Sequence, residues 1–123
     1  MRILIADDNL LIRQGVQRLL TGEENWQVCG EAKDGAEALE MAQTLLPDLL
    51  LLDLSMPGRM GGLDVTRALR QRNPNIKIVI MSQHDPLQLL PRALEAGADG
   101  CVDKARLGSD LVPNIKMATT RSS

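Results

Sequence analysis

The 123-residue chain has no Phe, no Tyr and one Trp, so its interior has to be assembled from Leu, Ile, Val, Ala and Met. That absence removes the aromatic platforms on which proteins stack single-stranded nucleic acid. An excess of either charge is lacking too: 14 basic residues stand against 16 acidic ones, a formal net charge of -2. No extended basic field is left to attract phosphate backbones or anionic lipid, and the chain is not expected to bind DNA by itself. Long apolar runs are missing as well. The first, Ile3 to Ala6, stops at Asp7-Asp8, and none approaches the roughly 20 residues of a membrane span. This reads as a cytoplasmic protein without membrane contact. Cys29 and Cys101 form no CxxC pair, which argues against metal or redox chemistry and for two small buried residues.

What the chain does have is alternation. Short apolar runs at Arg2 to Ala6, Trp26 to Ala32, Asp48 to Asp53, Ile76 to Met81 and Gly100 to Asp103 are separated by amphipathic stretches, the pattern of parallel βα units. Leu11, Ile12, Val16, Leu19 and Leu20 form a first helical stripe that Asn9 is suited to cap. Ala38, Leu39, Ala42, Leu45 and Leu46 form a second, ended by Pro47. Further helices are expected over Leu63 to Arg70, Leu87 to Ala96 and about Ser109 to Thr119. Leu49 to Leu52 is apolar at every position, as in a strand covered on both faces. Five such units predict an α/β fold, a flavodoxin-like doubly wound (βα)5 parallel sheet with strand order 2-1-3-4-5. In that order strands 2 and 5 occupy opposite edges, so Cys29 and Cys101 are too far apart to pair.

Ligands of such sheets bind beyond the carboxyl ends of the strands. Strand 1 ends in Asp7-Asp8, strand 3 in Asp53, strand 4 in Ser82 and strand 5 in Asp103-Lys104. Singly, each is an ordinary polar loop residue. Jointly, three like charges at one switch point make sense when a hard divalent cation such as Mg²⁺ neutralises them. A carboxylate beside such a cation, with an ammonium and a hydroxyl near, is what phosphoryl transfer to an aspartate requires. Asp53 is the natural acceptor, Lys104 would offset charge on the phosphoryl oxygens, and Ser82 would donate a hydrogen bond to one of them.

Asp7-Asp8, the segment Pro47 to Gly58 around Asp53, Met81-Ser82, and Ala96-Gly97-Ala98-Asp99-Gly100 leading to Lys104 together resemble the receiver domain of two-component response regulators, of the LuxR-type transcriptional kind. The resemblance extends over nearly the whole chain. It implies that Asp53 accepts a phosphoryl group from a phosphohistidine of a sensor histidine kinase, with Mg²⁺ held by Asp8, Asp53 and the backbone carbonyl of Ser55 and with Asp7 acting mainly through water. It implies that Lys104 contacts the phosphoryl group, that Ser82 moves toward it, and that phosphorylation promotes homodimerisation. Residues 1–123 would form this one domain, and a helix-turn-helix output domain, through which DNA is reached, would lie beyond residue 123.

The chain departs from the family pattern at the switch. Gln83 replaces the usual small residue, where a long amide can narrow access to Asp53. Cys101 stands three residues before the lysine, in place of the usual inward-turning aromatic on strand 5. His84 occupies a position that tunes dephosphorylation in the family, or is simply an exposed loop residue. The loop from Met56 to Gly62 is one residue longer than the common form, and Met56 and Met60 read as packing residues. Pro91 predicts that helix 4 is short, kinked or begins near it, and Pro113 weakens the early part of helix 5. Two alternatives follow. One is a pseudo-receiver serving as a phosphorylation-independent interaction module. The other is a Mg²⁺-dependent phosphohydrolase with an aspartyl intermediate, disfavoured because Ser55 stands where a second acid is wanted.

Overall fold

The computed structural model describes residues 1–120; residues 121–123 lie outside the described residues. Strands β1 (Arg2–Ala6), β2 (Gln27–Ala32), β3 (Leu49–Asp53), β4 (Lys77–Ser82) and β5 (Gly100–Asp103) form one sheet in the order β2-β1-β3-β4-β5. All neighbours are parallel. The connecting helices are α1 (Leu10–Thr21), α2 (Gly35–Leu45), α3 (Gly62–Arg72) and α4 (Pro86–Ala96), and β5 passes through a 3-10 turn at Lys104–Arg106 into α5 (Leu107–Thr120). No helix among the described residues is long and apolar enough to cross a membrane.

Two cores, one on each face, explain the leucine run in β3. Leu50 and Leu52 pack with residues of α2, α3 and α4, whereas Leu49 and Leu51 pack with residues of α1 and α5. All four are 0% exposed, and burial of each stabilises the fold by about 2 kcal/mol. Between β1 and β2 the register passes from Ile3↔Val28 to Leu4↔Gly30, leaving Cys29 as the extra residue of a bulge. Cys29 is therefore half-buried and not the enclosed residue expected, while Cys101 is buried; both are free thiols.

The start of α3 is drawn tight against the end of β3. A Cβ on Gly62 would lie 2.6 Å from the Asp53 carbonyl oxygen, so only glycine permits this approach. At the amino ends of the strands, Arg70 of α3 gathers the chain. Its Nε donates to the Gly97 carbonyl at 2.9 Å, and its two terminal nitrogens donate to the carbonyls of Pro74, Ile76 and Gly97 and to the Asp99 carboxylate. Asp99 Oδ2 also accepts from the Ile78 amide at 2.8 Å. The end of α3, the start of β4 and the end of α4 are thereby tied together.

Three expectations need correction. The buried residues of α1 are Arg13, Val16 and Leu20, and Leu11 is 75% exposed. Positions 13, 16 and 20 share one helix face, from which Leu11 is turned almost half a revolution away. Leu46, assigned to the α2 stripe, lies past the helix in a left-handed cap at φ 48° and is exposed. Neither proline breaks its helix. α4 runs unbroken from Pro86 to Ala96, capped by Asp85 and closed by Gly97 at φ 107°, with Leu89, Ala93 and Ala96 buried. Pro91 and Pro113 are exposed, so each removes one backbone bond on the wet side while the opposite face stays packed. α5 likewise continues through Pro113.

Candidate functional site

β1 and β3 end side by side in the sheet, and their terminal carboxylates follow from that register. Asp7 is completely buried. Its amide donates to the Ala32 carbonyl at 3.0 Å, its Oδ1 accepts from the Asn9 amide at 2.8 Å, and its carbonyl accepts from Arg13. Its Oδ2 lies 2.8 Å from Lys104 Nζ and has no other polar partner among the described residues. Asp53, 3% exposed, closes β3. Its Oδ1 accepts from the Ser55 amide at 3.2 Å and lies 3.0 Å from Lys104 Nζ. Asp8, in contrast, is exposed.

Burial, and then the neighbouring Asp7 charge, push the Asp53 carboxyl above its ordinary value, although Lys104 and the Ser55 amide work in the opposite direction. Burial also penalises the Lys104 ammonium, but its hydrogen bonds to Asp7 and Asp53 and their charges prevail, and its pKa is raised. The cluster thus has more negative charge than its one ammonium offsets. Asp7, Asp8 and Asp53 each offer an oxygen within 4.8 Å of the others. All-carboxylate donors of this density, one with a buried oxygen short of partners, fit a hard divalent cation of the Mg²⁺ type.

A cleft of about 290 Å³ opens over the cluster, lined among others by Asp8, Asp53, Ser55, Gln83, His84 and Lys104. Gln83 and His84 are exposed at its mouth. Ser82 ends β4 and is 1% exposed, with its Oγ accepting from the His84 amide at 2.9 Å. Ser82 does not line the cleft. Cys101 is elsewhere: it borders a smaller depression of about 170 Å³ with Leu90, Leu94, Asn114 and Met117. Burial and then Asp103 push its thiol up to about 11. A larger depression of about 510 Å³ at the amino ends of the strands brings no carboxylates together, so size alone does not locate the chemistry.

One residue of this neighbourhood escaped the sequence reading. Arg13 is buried on α1 and reaches back to the Asp7 carbonyl at 2.6 Å and to Glu31 at 3.0 Å. The available signal was a charge at the 13, 16, 20 spacing of an apolar face, which a search restricted to apolar residues passes over.

Residues 3–116 match the family model of the response regulator receiver domain. The chain belongs to the response regulator receiver family. Receiver domains of this kind are signalling modules and not conventional enzymes. Among curated relatives, the response regulator GacA of Pseudomonas viridiflava is 39% identical over 118 residues, which cover 94% of this chain and 54% of the relative. The transcriptional regulatory protein DegU of Brevibacillus brevis is 34% identical over 116 residues, 94% of this chain and 49% of the relative. This receiver therefore spans about half the length of the curated relatives it matches. The signal receiver domain of the putative response regulator NarL from Mycobacterium tuberculosis superposes with a TM-score of 0.88 at 37% identity, covering 98% of this chain and 97% of that one. The relatives are of the LuxR, NarL and GacA type, and the order 2-1-3-4-5 is the flavodoxin-like order expected from the sequence.

Proposed function

We propose that this receiver accepts a phosphoryl group on Asp53 from the phosphohistidine of a sensor histidine kinase, in a Mg²⁺-dependent reaction. The observation that carries the reading is the division of labour between the two Asp53 oxygens. Oδ1 is engaged by Lys104 and the Ser55 amide, while Oδ2 has no hydrogen bond among the described residues. Oδ2 is the oxygen available to attack. Its lone pair forms the new O–P bond as the P–N bond to imidazole breaks, the nitrogen departs with the bonding pair, and an acyl phosphate remains.

Asp7, Asp8, Asp53 and the backbone carbonyl of Ser55 would hold the metal. When bound, Mg²⁺ supplies positive charge against the phosphoryl oxygens. Lys104 favours the ionised form of Asp53, against the burial that opposes it, and is placed to transfer its contact to a phosphoryl oxygen. Ser82 has an O–H to donate once it turns from its β4 position toward the new group. Gln83 and His84 at the cleft mouth set the access of water to Asp53. With Cys101 in place of a large ring, the response of the α4, β5 and α5 face rests on smaller side chains.

The domain extends over residues 1–123 of a regulator that controls transcription through a helix-turn-helix domain beyond residue 123, in the cytoplasm, with dimerisation following phosphorylation. Support comes from relatives that are transcriptional regulators, such as DegU of Brevibacillus brevis. Incubation with a small acyl-phosphate donor and Mg²⁺, followed by intact-mass measurement, tests the central step. The parent gains one phosphoryl group and Asp53→Ala gains none. A parent that forms no Asp53-dependent adduct, even with its kinase, leaves the phosphorylation-independent interaction module as the better reading.

A further inference from the structure

Asp8 is the only exposed carboxylate of the trio, and among the described residues no hydrogen bond or ion pair holds its side chain. Its direction is therefore set by the backbone on either side. The following peptide is fixed because the Asn9 amide donates to Asp7 Oδ1. The preceding peptide presents the Asp7 carbonyl, and the group that holds this oxygen is Arg13, 2.6 Å away. Arg13 is itself immobilised. Its side chain is 8% exposed, it projects from the first turns of α1, and its Nε is paired with Glu31 of β2 at 3.0 Å.

A buried guanidinium is costly to desolvate, and a surface helix does not need one to cover an apolar face. Here its planar fork spans two groups that no apolar side chain can join: a backbone carbonyl on β1's exit and a carboxylate on β2. We propose that Arg13 is a positioning residue, which locks the peptide between Asp7 and Asp8 so that the Asp8 carboxylate stays turned toward Asp7 and Asp53. It touches neither metal nor phosphoryl group. Its metal-related consequence rests on the phosphoacceptor reading, whereas its effect on the backbone at Asp8 does not.

Two measurements on the complete chain test this. Calorimetric titration with Mg²⁺ alone is expected to show Arg13→Met binding about ten- to 100-fold more weakly than the parent, the usual effect of removing a group that orients a metal ligand. Glu31→Gln, which loses the ion pair but keeps the bond to the Asp7 carbonyl, should stay within about twofold of the parent, and Arg13→Lys should recover part of the loss. Arg13→Lys also replaces Met if the latter does not fold. In metal-free protein, exchange of the Asn9 amide, which is bonded to Asp7 Oδ1, should accelerate in Arg13→Met, with Ser55 unaffected. Unchanged exchange at Asn9 would overturn the proposal. So would an equal loss of Mg²⁺ affinity in Arg13→Met and Glu31→Gln, since that is the signature of a merely structural ion pair. A parent that binds no Mg²⁺ refutes the metal reading instead, and the exchange measurement still decides the role of Arg13.

Discussion

Two cations organise opposite ends of this sheet, and they are used in opposite ways. At the amino ends, Arg70 donates five hydrogen bonds to four acceptors, and the Asp99 oxygen it meets also receives the Ile78 amide. At the carboxyl ends, Lys104 is shared by two buried carboxylates while Asp7 Oδ2 and Asp53 Oδ2 keep spare capacity. A saturated network stabilises, because every buried polar group is satisfied. An undersaturated one has room for further positive charge from outside.

The sharpest way to break that contrast is at Asp53. Asp53→Asn should abolish labelling by the small donor, as read by intact mass, without loss of fold. Because the Asp53 pKa is raised in the folded protein, its ionisation costs stability above the ordinary carboxyl value of 3.8. The Asn variant is therefore expected to melt higher than the parent at neutral pH, with the gain shrinking as pH falls toward that value. A lower melting temperature at neutral pH would mean that Lys104 already balances the cluster.

Arg70→Ala should do the reverse. Removing five bonds leaves carbonyls of Gly97 and Ile76 short of donors, at about 2–3 kcal/mol in urea unfolding, with labelling of Asp53 unchanged. A labelling defect comparable to the stability loss would show that the two ends are coupled. Pro91→Ala and Pro113→Ala restore one backbone bond each on exposed helix surface and should stabilise by about 1 kcal/mol apiece. The smallest contrast is between the thiols. Cys29, half-exposed in its bulge, should react with a maleimide at pH 7 well before Cys101, whose thiol is buried and pushed up to about 11.

The order of strands and the residues at their carboxyl ends were readable from the sequence, because period and strand termini are local properties. Leu49 to Leu52 announced its two-sided burial, and Asp7, Asp8, Asp53 and Lys104 were found by asking where each strand stops. The structure does bring these together. What escaped was anything decided by which face of an element turns inward. Hydrophobicity alone puts Leu11 in the core, whereas the inward position belongs to Arg13, whose charge hides it from an apolar pattern. A local rule on Pro91 takes no account of the buried Leu89, Ala93 and Ala96 face that holds α4 together. Ser82 is buried, with its Oγ held by the His84 amide, an arrangement that no composition or spacing reveals.

The close approach of Gly62 to the Asp53 carbonyl has a bearing on engineering. Strand β3 is sealed between two cores and pinned at its exit by a position that accepts no side chain, so its geometry is insulated from the loops around it. Pro57, Arg59, Gln83 and His84, which are exposed around it, can then be exchanged, by selection or by design, while Asp53 itself stays where it is. Variants that diversify those loops should keep the acceptor chemistry far more often than variants that enlarge position 62.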